Sequence, residues 1–192
     1  MNYYDKNAKE FFDGTVNADM SPHHEEFLRF LPENGHILDA GCGSGRDTKK
    51  FRELGYEVTA IDGSLEMCRL AGEYANVNVH HMQFQEIKFE NEFDGIWASA
   101  SLLHVPSDEI DLVLSKLKNS LKDDGILYAS FKYGDFEGLR NGRFFNDLTE
   151  ITVVELFEKN NFKVFKTWLT DDSRPERDEK WVNILVKKNI VN

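Results

Sequence analysis

The sequence predicts a doubly wound α/β fold: a mostly parallel seven-stranded sheet, helices on both faces and a C-terminal antiparallel hairpin. Short apolar runs alternate with helix-period segments along the chain, which is the pattern of βαβ units. The first of these runs passes directly into glycines at alternate positions, Gly41, Gly43 and Gly45. The last two runs follow one another without a helix between them, so they pair antiparallel at the sheet's end.

Residues 36–40 read as the first strand, followed by the glycine turn and a helix over 44–54 that stops at Gly55. Residues 57–61 form the second strand. Ser64 caps the next helix, whose inner face carries Leu65, Cys68 and Ala71. Residues 77–82 and 94–100 are the third and fourth strands. Pro106 and Ser107 open a helix with Asp108 and Glu109 on its first turn, and Ile110, Val113, Leu114, Leu117 and Leu121 keep helical spacing. Asp123-Asp124-Gly125 ends it, and the apolar run 126–131 suits a central strand buried on both faces. A glycine-rich loop follows. Thr149 or Thr152 then caps a helix to about Asn160, and residues 162–169 and 181–187 alternate as the closing pair.

A chain of 192 residues suits one domain, with residues 33–192 as the core and 1–32 as an N-terminal helical lid. A plain packing helix is the alternative for that segment. The net charge of -11 repels polyanions at long range, which disfavours nucleic acid as a partner. The two cysteines, Cys42 and Cys68, have neither disulfide-framework nor zinc spacing. The first ten residues are polar and acidic, unlike a signal peptide, and no apolar run approaches the roughly 18 residues of a membrane span. A reduced, cytoplasmic setting is expected, as monomer or homodimer.

The segment Ile37-Leu38-Asp39-Ala40-Gly41-Cys42-Gly43-Ser44-Gly45 is the strongest feature. Glycines let a ligand approach the backbone without Cβ obstruction, and the helix that follows presents free N–H groups. The spacing is GxGxG, with Arg46 where the dinucleotide fingerprint GxGxxG has its last glycine. Asp62 ends the second strand, well placed for a ribose diol.

Residues 39–45, Asp62 and Phe93-Asp94 together resemble the class I S-adenosylmethionine (SAM)-dependent methyltransferases, over residues 33–188. The resemblance implies that Asp39 orients the methionine part of SAM, that Gly41, Cys42, Gly43 and Gly45 pass beneath it, and that Asp62 holds the ribose. It also implies that Gly63, Met67, Phe84 and the strand-end residue Ala98 flank the cofactor. Many relatives carry an Asp beside the adenine amine; here Gln83 or Gln85 takes that place. Gly45-Arg46-Asp47 with Leu102-Leu103-His104-Val105 is similar to small bacterial members labelled tellurite-resistance-type, a label that does not specify the acceptor.

Methyl transfer from a sulfonium is an in-line displacement, so alignment supplies much of the rate, with effective molarities on the order of 10⁵ M. A base is needed only where the acceptor loses a proton. His104, after the fourth strand, is the first candidate; a loop histidine that packs is the alternative reading. The loop after the fifth strand adds Lys132, Tyr133, Arg140 and Arg143, with the two arginines suited to clamp a carboxylate or phosphate. Tyr3, Tyr4, Phe11, Phe12 and Thr15 form an amphipathic N-terminal face suited to a sulfonium, and Arg174 lies in the closing loop. Trp97 reads as core. His23-His24 and His80-His81 lack an acidic ligand set, so no metal is expected, and one ring of the strand pair points in and one out. The leading reading is SAM-dependent methylation of a small soluble acceptor. Methylation of a protein or tRNA, a non-catalytic SAM-binding regulator and a nicotinamide dehydrogenase are the alternatives.

Overall fold

The computed structural model describes residues 3–174 and 177–189, so residues 1–2, 175–176 and 190–192 lie outside it. Two helices, α1 (Tyr3–Thr15) and α2 (Ser21–Leu28), precede the sheet. The alternation runs β1 (His36–Ala40), α3 (Arg46–Glu53), β2 (Glu57–Asp62), α4 (Leu65–Ala75), β3 (Val79–His81), β4 (Phe93–Ala98), α5 (Ile110–Ser120) and β5 (Leu121–Lys132). A hairpin of β6 (Glu137–Arg140) and β7 (Arg143–Asn146) follows, then α6 (Glu150–Lys159), β8 (Phe162–Asp171) and β9 (Lys180–Lys188).

The main sheet has the order β3-β2-β1-β4-β5-β9-β8. The first five of these strands are mutually parallel, while β9 lies antiparallel between β5 and β8. Strand order reverses between β1 and β4, so the carboxyl ends of these strands open the crevice where such sheets take ligands.

Alternation along the strands feeds two cores. Leu38, Ile96, Leu127 and Ile184 face α5 and α6 through Val113, Leu117, Val153 and Phe157. Ile37, Trp97, Tyr128 and Leu185 face the other way, against Phe27 of α2 and Phe51 of α3. Trp97 stacks on Tyr128 with ring centroids 4.1 Å apart, fixing the centre of that layer. The Ser64 hydroxyl accepts from Met67 N at 3.2 Å, and Thr149 likewise from Thr152 N, so both expected caps are present, each worth about 1 kcal/mol.

The expected elements need four adjustments. Helix α5 stops at Ser120, whose hydroxyl bonds back to Lys116 O at 2.8 Å, so Leu121 to Gly125 joins β5 instead of ending the helix. The third strand is only Val79–His81, at the sheet edge, and both His80 and His81 are exposed instead of pointing one in and one out. His23 and His24 are buried in the second core. The glycine-rich loop is in fact β6 and β7. Asn141 and Gly142 have φ of 51° and 77°, the two-residue hairpin turn whose twist matches its strands.

Candidate active site

Three strand ends build the site. At the end of β1 the chain turns through Gly41 (φ 83°), and both Gly41 N and Cys42 N donate to Ile61 O of β2. A Cβ on Gly41 would sit 2.6 Å from Ser101 Cβ, so only glycine allows this approach. Gly43 N donates to Asp62 Oδ2 at 2.9 Å, while Ser64 N donates to Asp62 Oδ1 at 2.9 Å. The two N–H groups fix the carboxylate at the mouth of a cleft, and burial raises its pKa. Gly45 has a different task from the one expected: a Cβ there would meet Ala71 at 3.0 Å, so it lets α3 pack on α4 and does not line the cleft.

The cleft beside Asp62 is walled by Gly63, Met67, Met82, Gln83 and Phe84. Gln83 Nε2 donates to Gly63 O at 3.0 Å, whereas Gln85 turns out to bond Glu109 at 2.6 Å. Of the two glutamines, only Gln83 is therefore at the cleft. A second, larger cavity runs from Asp39 and Cys42 past Ser99 to Lys132, Arg143, Phe145 and Asn183. Tyr4, Phe11, Gly41, Gly43, Ala100 and His104 line both, so this group is the junction. Ala98 is fully buried in the first core, and the wall falls two residues later, at Ala100. Ala100 has φ 50°, a conformation rare for a residue with a side chain, and its N–H is held by Ser130 Oγ at 2.8 Å.

His104 is set by partners at both ring nitrogens. Nδ1 lies 2.6 Å from Phe144 O, which can only accept, so Nδ1 carries the proton. Nε2 then accepts from the Tyr4 hydroxyl at 2.7 Å. Burial, with Arg143 and Lys132 nearby, pushes His104 down to about 4, against the upward pull of the Phe144 carbonyl. Tyr133, by contrast, is 43% exposed and lines neither cavity, because the chain leaves β5 there. Lys132 lines the larger cavity but is engaged by Glu179.

Helix α1 closes over the junction. Besides the Tyr4 bond, Ser64 Oγ donates to Asp5 Oδ1 at 2.6 Å, Phe12 packs edge-on to Tyr74, and a Cβ on Gly43 would stand 3.3 Å from Phe11. Arg46 donates to Thr15 O at 3.2 Å and so fastens the end of α1.

A methyltransferase-domain family model matches residues 37–125, the segment from β1 to the start of β5. An uncharacterized methyltransferase of Staphylococcus carnosus (strain TM300) is 32% identical over 172 residues, covering 82% of this chain and 83% of the relative. The chain belongs to the SAM-dependent methyltransferases.

The methyltransferase also superposes on the 1,6-didemethyltoxoflavin-N1-methyltransferase of Burkholderia thailandensis, solved with 1,6-didemethyltoxoflavin and S-adenosylhomocysteine. The TM-score is 0.79 at 25% identity, over 97% of this chain and 84% of that one. The [4+2]-cyclase SpnF shares the fold at TM-score 0.70 and 16% identity, over 97% and 82% of the two chains. Fold by itself is therefore not a guide to what happens in the second cavity. The methyltransferase fits SAM by its own geometry: a bare glycine backbone under the junction and a fixed carboxylate at the cleft mouth.

Behind the glycine turn lies a buried network that spacing alone did not reveal. Asp47 accepts from Arg46 Nε and Nη2 at 2.8 and 2.7 Å, from His24 Nε2 at 2.9 Å and from Trp97 Nε1 at 2.9 Å. Burial would raise Asp47, but the Arg46 charge and these hydrogen bonds hold it far below the ordinary carboxylate range. Asp39, taking a 2.5 Å bond from Thr48, has no such cation; burial and the Asp47 charge push it up to about 8. The Cys42 thiol is raised by burial, which leaves it protonated and no nucleophile.

The His104 shift makes a stability prediction. Its folded pKa of about 4 lies below the unfolded value near 6.5, so the unfolded chain binds the extra proton between them. The contribution is fully present above pH 6.5 and is lost as pH falls to about 4, a change of roughly 3 kcal/mol. Denaturant melts of wild type and His104→Gln should diverge in slope over that window and run parallel above it. Parallel curves throughout would refute the assignment.

Proposed function

We propose that this enzyme methylates a small soluble acceptor in the larger cavity, with the adenosine of SAM in the Asp62 cleft and the sulfonium at the Tyr4–Phe11–His104 junction. The observation that carries this reading is the roof: α1, pinned by Tyr4–His104 and Asp5–Ser64, covers the junction, and the larger cavity extends beyond it. Asp62 would hold the ribose diol, Gly63, Met67, Gln83 and Phe84 would flank the adenine, and Gly41 to Gly43 with Asp39 would carry the methionine part. SAM supplies an activated methyl group, so the chain's share of the work is alignment and exclusion of water.

His104 is neutral above about pH 5, so it adds no repulsion toward a sulfonium. Its Nε2 lone pair, now on Tyr4, is the acceptor for a proton leaving the substrate. His104→Gln should lower kcat about 10²-fold, well beyond any loss of S-adenosylhomocysteine affinity, and wild type should show no acid limb between pH 5.5 and 8. The acidic chain and the neighbour that acts on 1,6-didemethyltoxoflavin support a small acceptor. α1 then serves as the lid, and a cytoplasmic site of action suits the proposal.

The test uses methyl-tritiated SAM with a cell extract split by ultrafiltration. Label should appear in the filtrate, with Asp62→Ala inactive. Label confined to protein or RNA in the retentate would overturn the small-acceptor reading, and no transfer to either fraction would favour a SAM-binding regulator.

A further inference from the structure

The cations around the larger cavity are nearly all matched by carboxylates. Lys132 pairs with Glu179, Arg140 with Asp147 at 2.7 Å, Arg174 with Asp172 at 2.7 Å, Arg46 with Asp47, and Arg177, at the longer distance of 3.7 Å, with Glu179. Arg143 differs. Among the described residues it has no carboxylate within ion-pair distance, and its Nε is buried without a hydrogen-bond partner. Its guanidinium lies 5.1 Å from the Tyr3 ring centroid and 5.0 Å from that of Phe145, beside Tyr4. The rings hold the planar fork in place at low entropic cost, and Arg143 lines the larger cavity but not the adenosine cleft.

The hairpin explains the contrast between the two arginines. Arg140 and Arg143 face each other across the Asn141-Gly142 turn. Arg140 is held by Asp147, which leaves Arg143 as the hairpin guanidinium with no carboxylate partner. A partly buried guanidinium with an orphan N–H is costly unless an anion completes it. The acidic residues also lining the cavity do not meet this need: Asp172 is taken by Arg174, Asp47 by Arg46, Asp39 accepts from Thr48, and Asp171 is exposed on β8.

We infer that Arg143 is the anion subsite for the methyl acceptor, and that the acceptor carries a carboxylate or a similar planar, delocalised oxyanion. This rests on the small-acceptor reading above. The anion would sit beside His104 Nε2 and the Tyr4 hydroxyl, so one end of the acceptor is fixed where the proton acceptor lies. Bidentate pairing with the fork gives orientation as well as affinity.

The test is calorimetry on the full chain saturated with S-adenosylhomocysteine, using benzoate and acetate against the uncharged benzamide and acetamide. At least one carboxylate should bind tenfold or more tighter than its amide. Arg143→Met should erase that preference while S-adenosylhomocysteine affinity stays within about twofold, and Arg143→Lys should keep part of it. Thermal melts establish that both variants fold, and the Lys variant reads the charge if the Met variant does not. Carboxylates binding no better than their amides would overturn the subsite. So would a tenfold loss of S-adenosylhomocysteine affinity in the variants, which would assign Arg143 to the cofactor's own carboxylate. The readout is binding alone, so label found only in macromolecules would sink the small-acceptor reading without altering this result.

Discussion

Asp62→Ala should weaken S-adenosylhomocysteine binding by two orders of magnitude or more while leaving a folded protein. The Asp62 carboxylate accepts one backbone N–H at each oxygen, from Gly43 and Ser64, and each oxygen keeps a lone pair for a ribose hydroxyl. Two charge-assisted hydrogen bonds at about 1.5 kcal/mol each already amount to roughly 3 kcal/mol, a factor above 10². The variant also strips Gly43 N of its acceptor, which loosens the floor of the junction. Asp62→Asn keeps one oxygen and should lose only about tenfold. Calorimetry on the three proteins, with circular dichroism to confirm the fold, checks this. A loss below threefold in the alanine variant would mean that the ribose sits elsewhere.

Asp47→Ala should be the most destabilising single change near the site. The carboxylate is the shared acceptor for Arg46, His24 and Trp97 and is almost entirely buried, with 8% of its side chain exposed. Removing it leaves a mostly buried guanidinium without its counter-charge and the Trp97 N–H without a partner in the second core. Breaking a buried pair in this way costs about 3–5 kcal/mol. For a chain of this size that corresponds to a fall in Tm on the order of 10 °C. Asp47→Asn, which retains an acceptor, should fall by less. Because Arg46 also holds Thr15 O, the alanine variant should free the end of α1 and raise its amide exchange. A Tm change under about 2 °C would show that the network does not support the fold.

Local signals carried most of the fold. The glycine turn and the Ser64 and Thr149 caps are short-range patterns that appear where the spacing requires them, while α5 keeps its helical spacing over Ile110–Ser120 but starts after Pro106-Ser107 and gives up Leu121 to β5. The hairpin was also legible: Asn141-Gly142 is a strong turn signal, but the surrounding glycines read as loop. The donor site follows from the same local logic, since Asp39 and Asp62 sit at the ends of the adjacent parallel strands β1 and β2, with Gly41 and Gly43 in the turn after β1. The acceptor side does not. Tyr4 and His104 are 100 residues apart, and Arg46-Asp47 reaches back to His24 and forward to Trp97. Only the packed fold brings those partners together. It also separates Arg143 from Arg140 and Lys132, which composition alone left equivalent.

The most direct test of the account is a crystal structure of the protein with S-adenosylhomocysteine. The account predicts the ribose on Asp62, the adenine between Met67, Gln83 and Phe84, and the sulfur facing Tyr4 and His104, with the larger cavity open beyond it. A cofactor bound with its sulfur turned away from that cavity, or lodged outside the Asp62 cleft, would contradict it.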